Sequence, residues 1–292
     1  MIVLKQNPTK KQHYVPQVYL RGFSPDGSKI NAYWINDNNI DERCTPIESI
    51  CRENYLYELR NDSNDLIAIN HIEKCLSALE GMFSEYRKQL LNKAYITENY
   101  KTKCFFTSQE KVFWKLFIAI QMLRTPKVLN EAKIFSEDFF GESLKQNSAS
   151  NIALGQLFPF FKEAKPGDVN CLFSFLEPMQ NMSMVLGVDS DSRIITSDNP
   201  VYAYSPDKTI QNFEKIIYPV NDQLVIFLLG GELQKLYDKN RAFRMDVDDV
   251  DSVIQSVAYS ADNIVFSKYP ISEKDKQLII SARKDKFADE DR

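Results

Sequence analysis

Two histidines in 292 residues limit the acid–base chemistry open to this chain, since any mechanism needing a histidine pair must use His13 and His71 together. His13 opens the segment HYVPQVYLRGF, where Pro16 can start a short helix and Gly22 can end it. Gln17 and Arg21 lie four residues apart on that helix and share a face. His13 could serve there as a general base; capping or packing is the competing role. In a second segment Trp114, Phe117, Gln121 and Arg124 fall at i, i+3, i+7 and i+10, so a glutamine and an arginine continue an aromatic helix face. Polar groups there must be satisfied, and Arg124 could hold a substrate carboxylate, a phosphate or an internal aspartate, for which Asp198 is the natural partner, with His13 close enough to share it. Glu73 and Glu80, seven residues apart, place two carboxylates on one edge of another helix. Such a pair could hold Mg²⁺, raise one pKa for acid–base work, or simply be solvated. Finally, SRIITSDNPVYAY sets Ser197, Asp198, Asn199 and Pro200 directly after an apolar strand. Small polar groups held by a rigid proline suit a site residue and an Asx-type turn equally.

Several chemistries are disfavoured. The chain has no P-loop, GxGxxG, GxSxG, HExxH or kinase signature, and nine glycines leave little for a phosphate-cradling loop. Cys44, Cys51, His71 and Cys75 could supply four zinc ligands, but no CxxC pair supports this, and the five cysteines read as buried reduced thiols. The net charge of −4 argues against a protein that coats nucleic acid, while scattered lysines leave room for a local basic groove. The start of the chain lacks the apolar core of a signal peptide, and no apolar run approaches the ~20 residues of a spanning helix. A cytoplasmic protein without a membrane partner is expected.

The elements that must position these residues follow from periodicity. KINAYWIN alternates as a strand, and YLYEL near residue 55 is a second strand candidate. Helical stripes run from 66 to 93 with Asp65 as cap, from Ser108 to Pro126, from 128 to 144 and from 151 to 162. MSMVLGV, SRIITS, KIIYPV, QLVIFLL and NIVFS are β-rich, whereas DVDDVDSVIQSVAYSA and SEKDKQLIISARK read as helices. The expected fold is α+β: a helical middle packed with a small mixed or antiparallel sheet from N- and C-terminal strands. One domain over 1–285 and a frayed charged tail at 286–292 complete the organisation.

HYVPQVYLRGF, IAIQMLRTP and IITSDNPV together resemble the mainly bacterial family catalogued as domain of unknown function 4238, and IIYPVNDQLVIFL is similar to a further segment of it. In that last segment VND stands where the family pattern implies a leucine and a serine after the proline. The resemblance spans His13 to about Phe266 and implies no settled activity. It marks His13, Gln17, Gln121, Arg124, Ser197, Asp198 and Asn199 as motif positions. Two functions fit these residues. One is a phosphodiesterase or nuclease-like hydrolase with His13 and Asp198 at the reacting centre. Gln17, Gln121, Arg124, Ser197 and Asn199 would bind a phosphate-containing ligand or nucleic acid, assisted by Mg²⁺ or Mn²⁺. The other is a non-catalytic sensor or protein-interaction module in which the same cluster is structural. The sequence leaves the oligomeric state open.

Overall fold

The computed structural model describes residues 7–36, 39–96, 105–141, 148–155, 171–236 and 241–290. Pro16 precedes the single helical turn α1 (Gln17–Leu20), and a 3₁₀ turn carries the chain through Arg21–Phe23. Gly22 permits close packing, because a Cβ there would lie 2.9 Å from Arg87 Nη1 and 3.1 Å from the Val220 carbonyl oxygen. That Arg87 nitrogen donates to the Val18 carbonyl at 2.8 Å and so ties the turn to the long helix behind it.

Strands β1 (Lys11–His13), β2 (Lys29–Asn36), β3 (Asn39–Pro46) and β4 (Arg52–Asn54) follow in the N-terminal region. They are succeeded by β5 (Leu59–Arg60) and β6 (Leu66–Ile67). YLYEL is largely a turn rather than a strand, because Tyr55 takes a positive φ of 57° and only Leu59 joins β5. Likewise the long helix α2 starts at His71 and ends at Ile96, and Asp65 is not its cap. Ala68 and Asn70, both at positive φ, break the pattern before the helix begins.

Helices α3 (Ser108–Leu123), α4 (Pro126–Phe140), α5 (Ser148–Leu154) and α6 (Cys171–Gln180) form the middle of the chain. Thr107 and Glu110 close a reciprocal capping box on α3, one residue earlier than Ser108. Residues 156–162 of the expected fourth helix lie outside the described residues. The α2 and α3 faces meet through aromatic rings: Phe83 stacks on Phe117 with centroids 4.6 Å apart, and Tyr86 stacks on Phe113 at 4.1 Å. Leu76, Leu79 and Ile120 are buried with them.

The C-terminal half contributes β7 (Ser183–Val188), β8 (Thr196–Ser197), β9 (Tyr202–Tyr204), β10 (Lys215–Pro219) and β11 (Leu224–Leu229). Then come α7 (Leu233–Leu236), β12 (Ala242–Arg244), α8 (Val247–Ser260), β13 (Ile264–Ser267) and α9 (Glu273–Glu290). An antiparallel sheet ordered β3-β2-β13-β8 unites N- and C-terminal strands, as the α+β reading requires. A second sheet, β12-β7-β11-β10-β9, is built wholly from the C-terminal half, with β12 parallel to β7 and the other pairs antiparallel. Residues 286–290, expected to fray, continue α9, and Lys286 is buried with its ammonium on the Ala261 carbonyl at 2.7 Å. No described helix is long and apolar enough to cross a membrane.

Candidate functional site

Two of the sequence motifs meet at His13 and Tyr14. The end of α3 places Gln121 and Arg124 one turn apart, aimed at consecutive backbone carbonyls. Gln121 Nε2 donates to the Tyr14 carbonyl at 2.9 Å, and Arg124 Nη2 donates to the His13 carbonyl at 2.6 Å. Arg124 is 2% exposed, and its remaining donors are also used. Nη1 pairs with Glu80 Oε1 at 3.0 Å, and Nε donates to Tyr57 Oη at 3.3 Å, while that hydroxyl donates to the Arg124 carbonyl at 2.9 Å. Burial opposes the charge, but Tyr57 and Glu80 outweigh it and hold the guanidinium above its ordinary pKa.

His13 and Tyr14, alternating along an extended segment, serve different clefts. His13 shares a cleft of about 340 Å³ with Gln17, Arg21, Glu73, Glu80 and Ser84. Here the four-residue spacing of Gln17 and Arg21 does put them on one face, with Arg21 Nη2 donating to Gln17 Oε1 at 3.4 Å. The Gln17 amide lies 3.5 Å from both ring nitrogens of His13. Burial pulls the His13 pKa below 6.5, with the Arg52 and Arg124 charges adding to the effect against a hydrogen bond to the Glu48 carbonyl. The imidazole is therefore mainly neutral at neutral pH.

Glu73, one of the flanking pair on α2, behaves unlike a solvated charge. Its Oε2 is buried without a hydrogen-bond partner, and burial raises the carboxyl to about 7, with Arg124 opposing and Glu80 and Glu58 reinforcing the rise. A carboxyl whose folded pKa is raised takes up a proton on folding, so its contribution to stability falls as pH climbs from its ordinary value of 4.5 through about 7. Glu73→Gln should therefore be more stable than the parent at about pH 8, by about 1–2 kcal/mol after screening by solvent in the cleft, and nearly equal at about pH 4. Urea unfolding at the two pH values checks this. An equal difference at both would show that the carboxyl is not held protonated.

Asp198 lines a second cleft of about 500 Å³, together with Tyr14, Lys127, Asp262 and Arg283. Its two carboxylate oxygens accept three backbone N–H groups, from Asp262 at 2.8 Å, Asn263 at 2.9 Å and Ile264 at 3.2 Å. Burial and the Asp262 charge raise its pKa to about 7 in spite of these bonds. Ser197 Oγ donates to the Asn199 carbonyl at 2.7 Å and accepts the Asn199 N–H at 3.2 Å, forming the local turn that SDNP favours.

The motifs thus bring His13, Gln17, Gln121 and Arg124 together, while Asp198, Ser197 and Asn199 sit on another wall. The expected Arg124–Asp198 ion pair is replaced by Arg124–Glu80, with Asp198 bound to backbone amides instead. Glu73, Glu80 and Arg21 complete the first cleft. The seven-residue carboxylate spacing was the sequence signal for the two glutamates. Among the described residues no group of three or more His, Cys, Asp or Glu could hold a metal ion, so Cys44, Cys51, His71 and Cys75 do not assemble as zinc ligands. Cys44 is exposed rather than buried, because β3 is an edge strand with no buried residue, whereas Cys51 is buried.

The architecture is that of an α+β protein whose motif side chains clamp one N-terminal segment between two polar clefts. The chain belongs to the family described as Protein of unknown function (DUF4238), whose model matches residues 11–269. No curated protein and no solved structure matches it.

Proposed function

We propose that this chain is a hydrolase of phosphate esters that works by general acid–base catalysis in the His13–Glu73 cleft. The observation that carries the reading is the unpartnered, buried Glu73 Oε2 in the same cleft as the His13 imidazole. An isolated carboxyl of this kind is costly unless it is protonated or engages a ligand. Neutral His13 takes a proton from the attacking hydroxyl or water. As the new P–O bond forms and the old one breaks, protonated Glu73 gives its proton to the leaving oxygen. Arg21 and Gln17 hold the phosphate oxygens at the rim. This assignment replaces Asp198 with Glu73 as the acid and Arg124 with Arg21 as the anion contact, because Asp198 and Arg124 are occupied internally.

Purified protein should cleave at least one member of a panel of RNA, DNA, cyclic and linear phosphodiesters, assayed with and without Mg²⁺ or Mn²⁺. His13→Ala and Glu73→Gln should each lower the rate by about 10²-fold or more while remaining folded. The rate should rise with pH through the lowered His13 pKa, below 6.5, and fall again through about 7 as Glu73 loses its proton. A panel left untouched, or rates indifferent to both substitutions, sinks this reading.

A second reading, a non-catalytic interaction module, is supported by one specific fact: Gln121, Arg124 and Asp198 all bind backbone groups of the same chain. It predicts a silent panel together with severe destabilisation by substitutions at Arg124 and Asp198.

A further inference from the structure

The second cleft has features that the acid–base reading does not use. It lies where the N-terminus of α4 approaches the end of α9, and its walls include Pro126, Lys127, Arg283, Lys286 and Phe287. Three observations there point the same way. First, α4 runs fifteen residues from Pro126, and its N-cap Thr125 makes no side-chain capping bond. The first-turn N–H groups of a helix have no acceptor within it, so the partial positive charge at this end lacks a side-chain cap. Second, the Thr125 hydroxyl, behind this helix start rather than on the cleft wall, is buried without a partner. Third, Arg283 is 5% exposed, and its Nε is a buried donor without an acceptor. Its two terminal nitrogens donate to the Ala261 and Asp262 carbonyls, which fixes the guanidinium in place with Nε left over.

A cation locked against one wall, a lysine at the opposite helix start and an uncapped helix N-terminus are complementary to a compact oxyanion. The acidic groups in the cleft do not cancel this. Both Asp198 oxygens are taken by backbone amides, leaving Glu53 and Asp262 as the acceptors on the wall. Those acceptors suit hydroxyl groups on the body of a ligand, and Phe287, 44% exposed at the rim, offers it a flat apolar surface. We propose that this cleft binds the phosphate of a small phosphomonoester of nucleotide size, with the phosphate at the α4 N-terminus between Lys127 and Arg283. The proposal is independent of hydrolysis in the His13 cleft.

The test is titration of the full chain with AMP, inorganic phosphate and adenosine, followed by calorimetry and by amide chemical shifts. AMP should bind saturably, phosphate more weakly and adenosine not at all, with shifts at the Lys127 and Val128 amides, the Leu129 N–H being already bonded to the Thr125 carbonyl. Lys127 is exposed, so Lys127→Glu should fold normally and weaken AMP binding by about tenfold or more. Arg21→Ala, in the other cleft, should leave it unchanged. The proposal is overturned if AMP fails to bind at millimolar concentration or if adenosine binds equally well. Binding lost in Arg21→Ala but kept in Lys127→Glu overturns it too, and so do shifts that spare the start of α4.

Discussion

Arg124→Ala should lower the free energy of unfolding by about 3–5 kcal/mol, enough to leave a protein of ordinary stability barely folded. The guanidinium is 2% exposed and uses three of its nitrogens on three different elements: Glu80 on α2, Tyr57 in the turn before β5, and the His13 carbonyl at the end of β1. Removing it leaves the Glu80 carboxylate without its cation and the His13 carbonyl without this donor, while the Tyr57 hydroxyl keeps only its bond to the residue 124 carbonyl; unmade bonds in such a place cost more than made ones stabilise. Arg124→Lys should be intermediate, since an ammonium can reach one of these partners but has no planar fork to span them. The double variant Arg124→Met with Glu80→Gln should recover part of the loss, because it removes both charges together. Denaturant melts of the three variants decide the matter. An unchanged midpoint for Arg124→Ala would mean that the clamp contributes nothing and that Arg124 is available for a ligand after all.

The same clamp explains which parts of the site were legible in the sequence. Helix α3 announced itself through its aromatic stripe and a capping signal near Ser108, and Gln121 and Arg124 stood out because polar residues interrupt an apolar face. Their partners did not stand out, because they are backbone carbonyls, and every residue carries one. Charge complementarity suggested Asp198 for Arg124, yet Glu80, on the neighbouring helix α2, is the acid that packing brings to it. Glu73 and Glu80 were visible as a pair by spacing alone. Which of them would be buried and unpartnered depends on the approach of β1 and α1 to α2, and no local pattern encodes that. Local conformation misled in a different way. YLYEL alternates like a strand, but Tyr55 sits at positive φ, and the helical stripe that began at 66 is interrupted by Ala68 and Asn70 in the same conformation. Tyr55 and Ala68 are types that rarely take this conformation, so only Asn70 left a compositional mark of a turn.

Asp198→Ala should destabilise the fold by about 3–5 kcal/mol, through a mechanism unlike that of Arg124. Asp198 is 3% exposed and holds no cation; it closes a ring of amides. The chain leaves α8 at Ser260, must turn within three residues, and enters β13 at Ile264, the strand that joins β2 to β8 in the sheet of N- and C-terminal strands. Within that turn the N–H groups of Asp262, Asn263 and Ile264 all point at the Asp198 carboxylate, and the Asp198 N–H bonds back to the Ile264 carbonyl at 3.0 Å. Removing the carboxylate orphans three donors at once, at about 1–3 kcal/mol for each that water cannot reach. Asp198→Asn should cost about half as much, since one oxygen remains to accept while the new NH₂ faces donors. Both oxygens are needed as acceptors, so protonation at one should weaken the ring in the same direction as the asparagine. Against this, the raised pKa of about 7 means that folding takes up a proton here, and stability carried by this group should fall rather than rise as pH climbs through neutrality. The measurement is therefore a pair of unfolding curves for Asp198→Asn and the parent at about pH 5 and about pH 8. The cost of the asparagine should be smaller at the higher pH, where the parent also bears the penalty of a buried charge. A cost that grows with pH would show that the three amides outweigh burial and that Asp198 is ionised throughout. No loss of stability at either pH would leave the SDNP turn without a structural role.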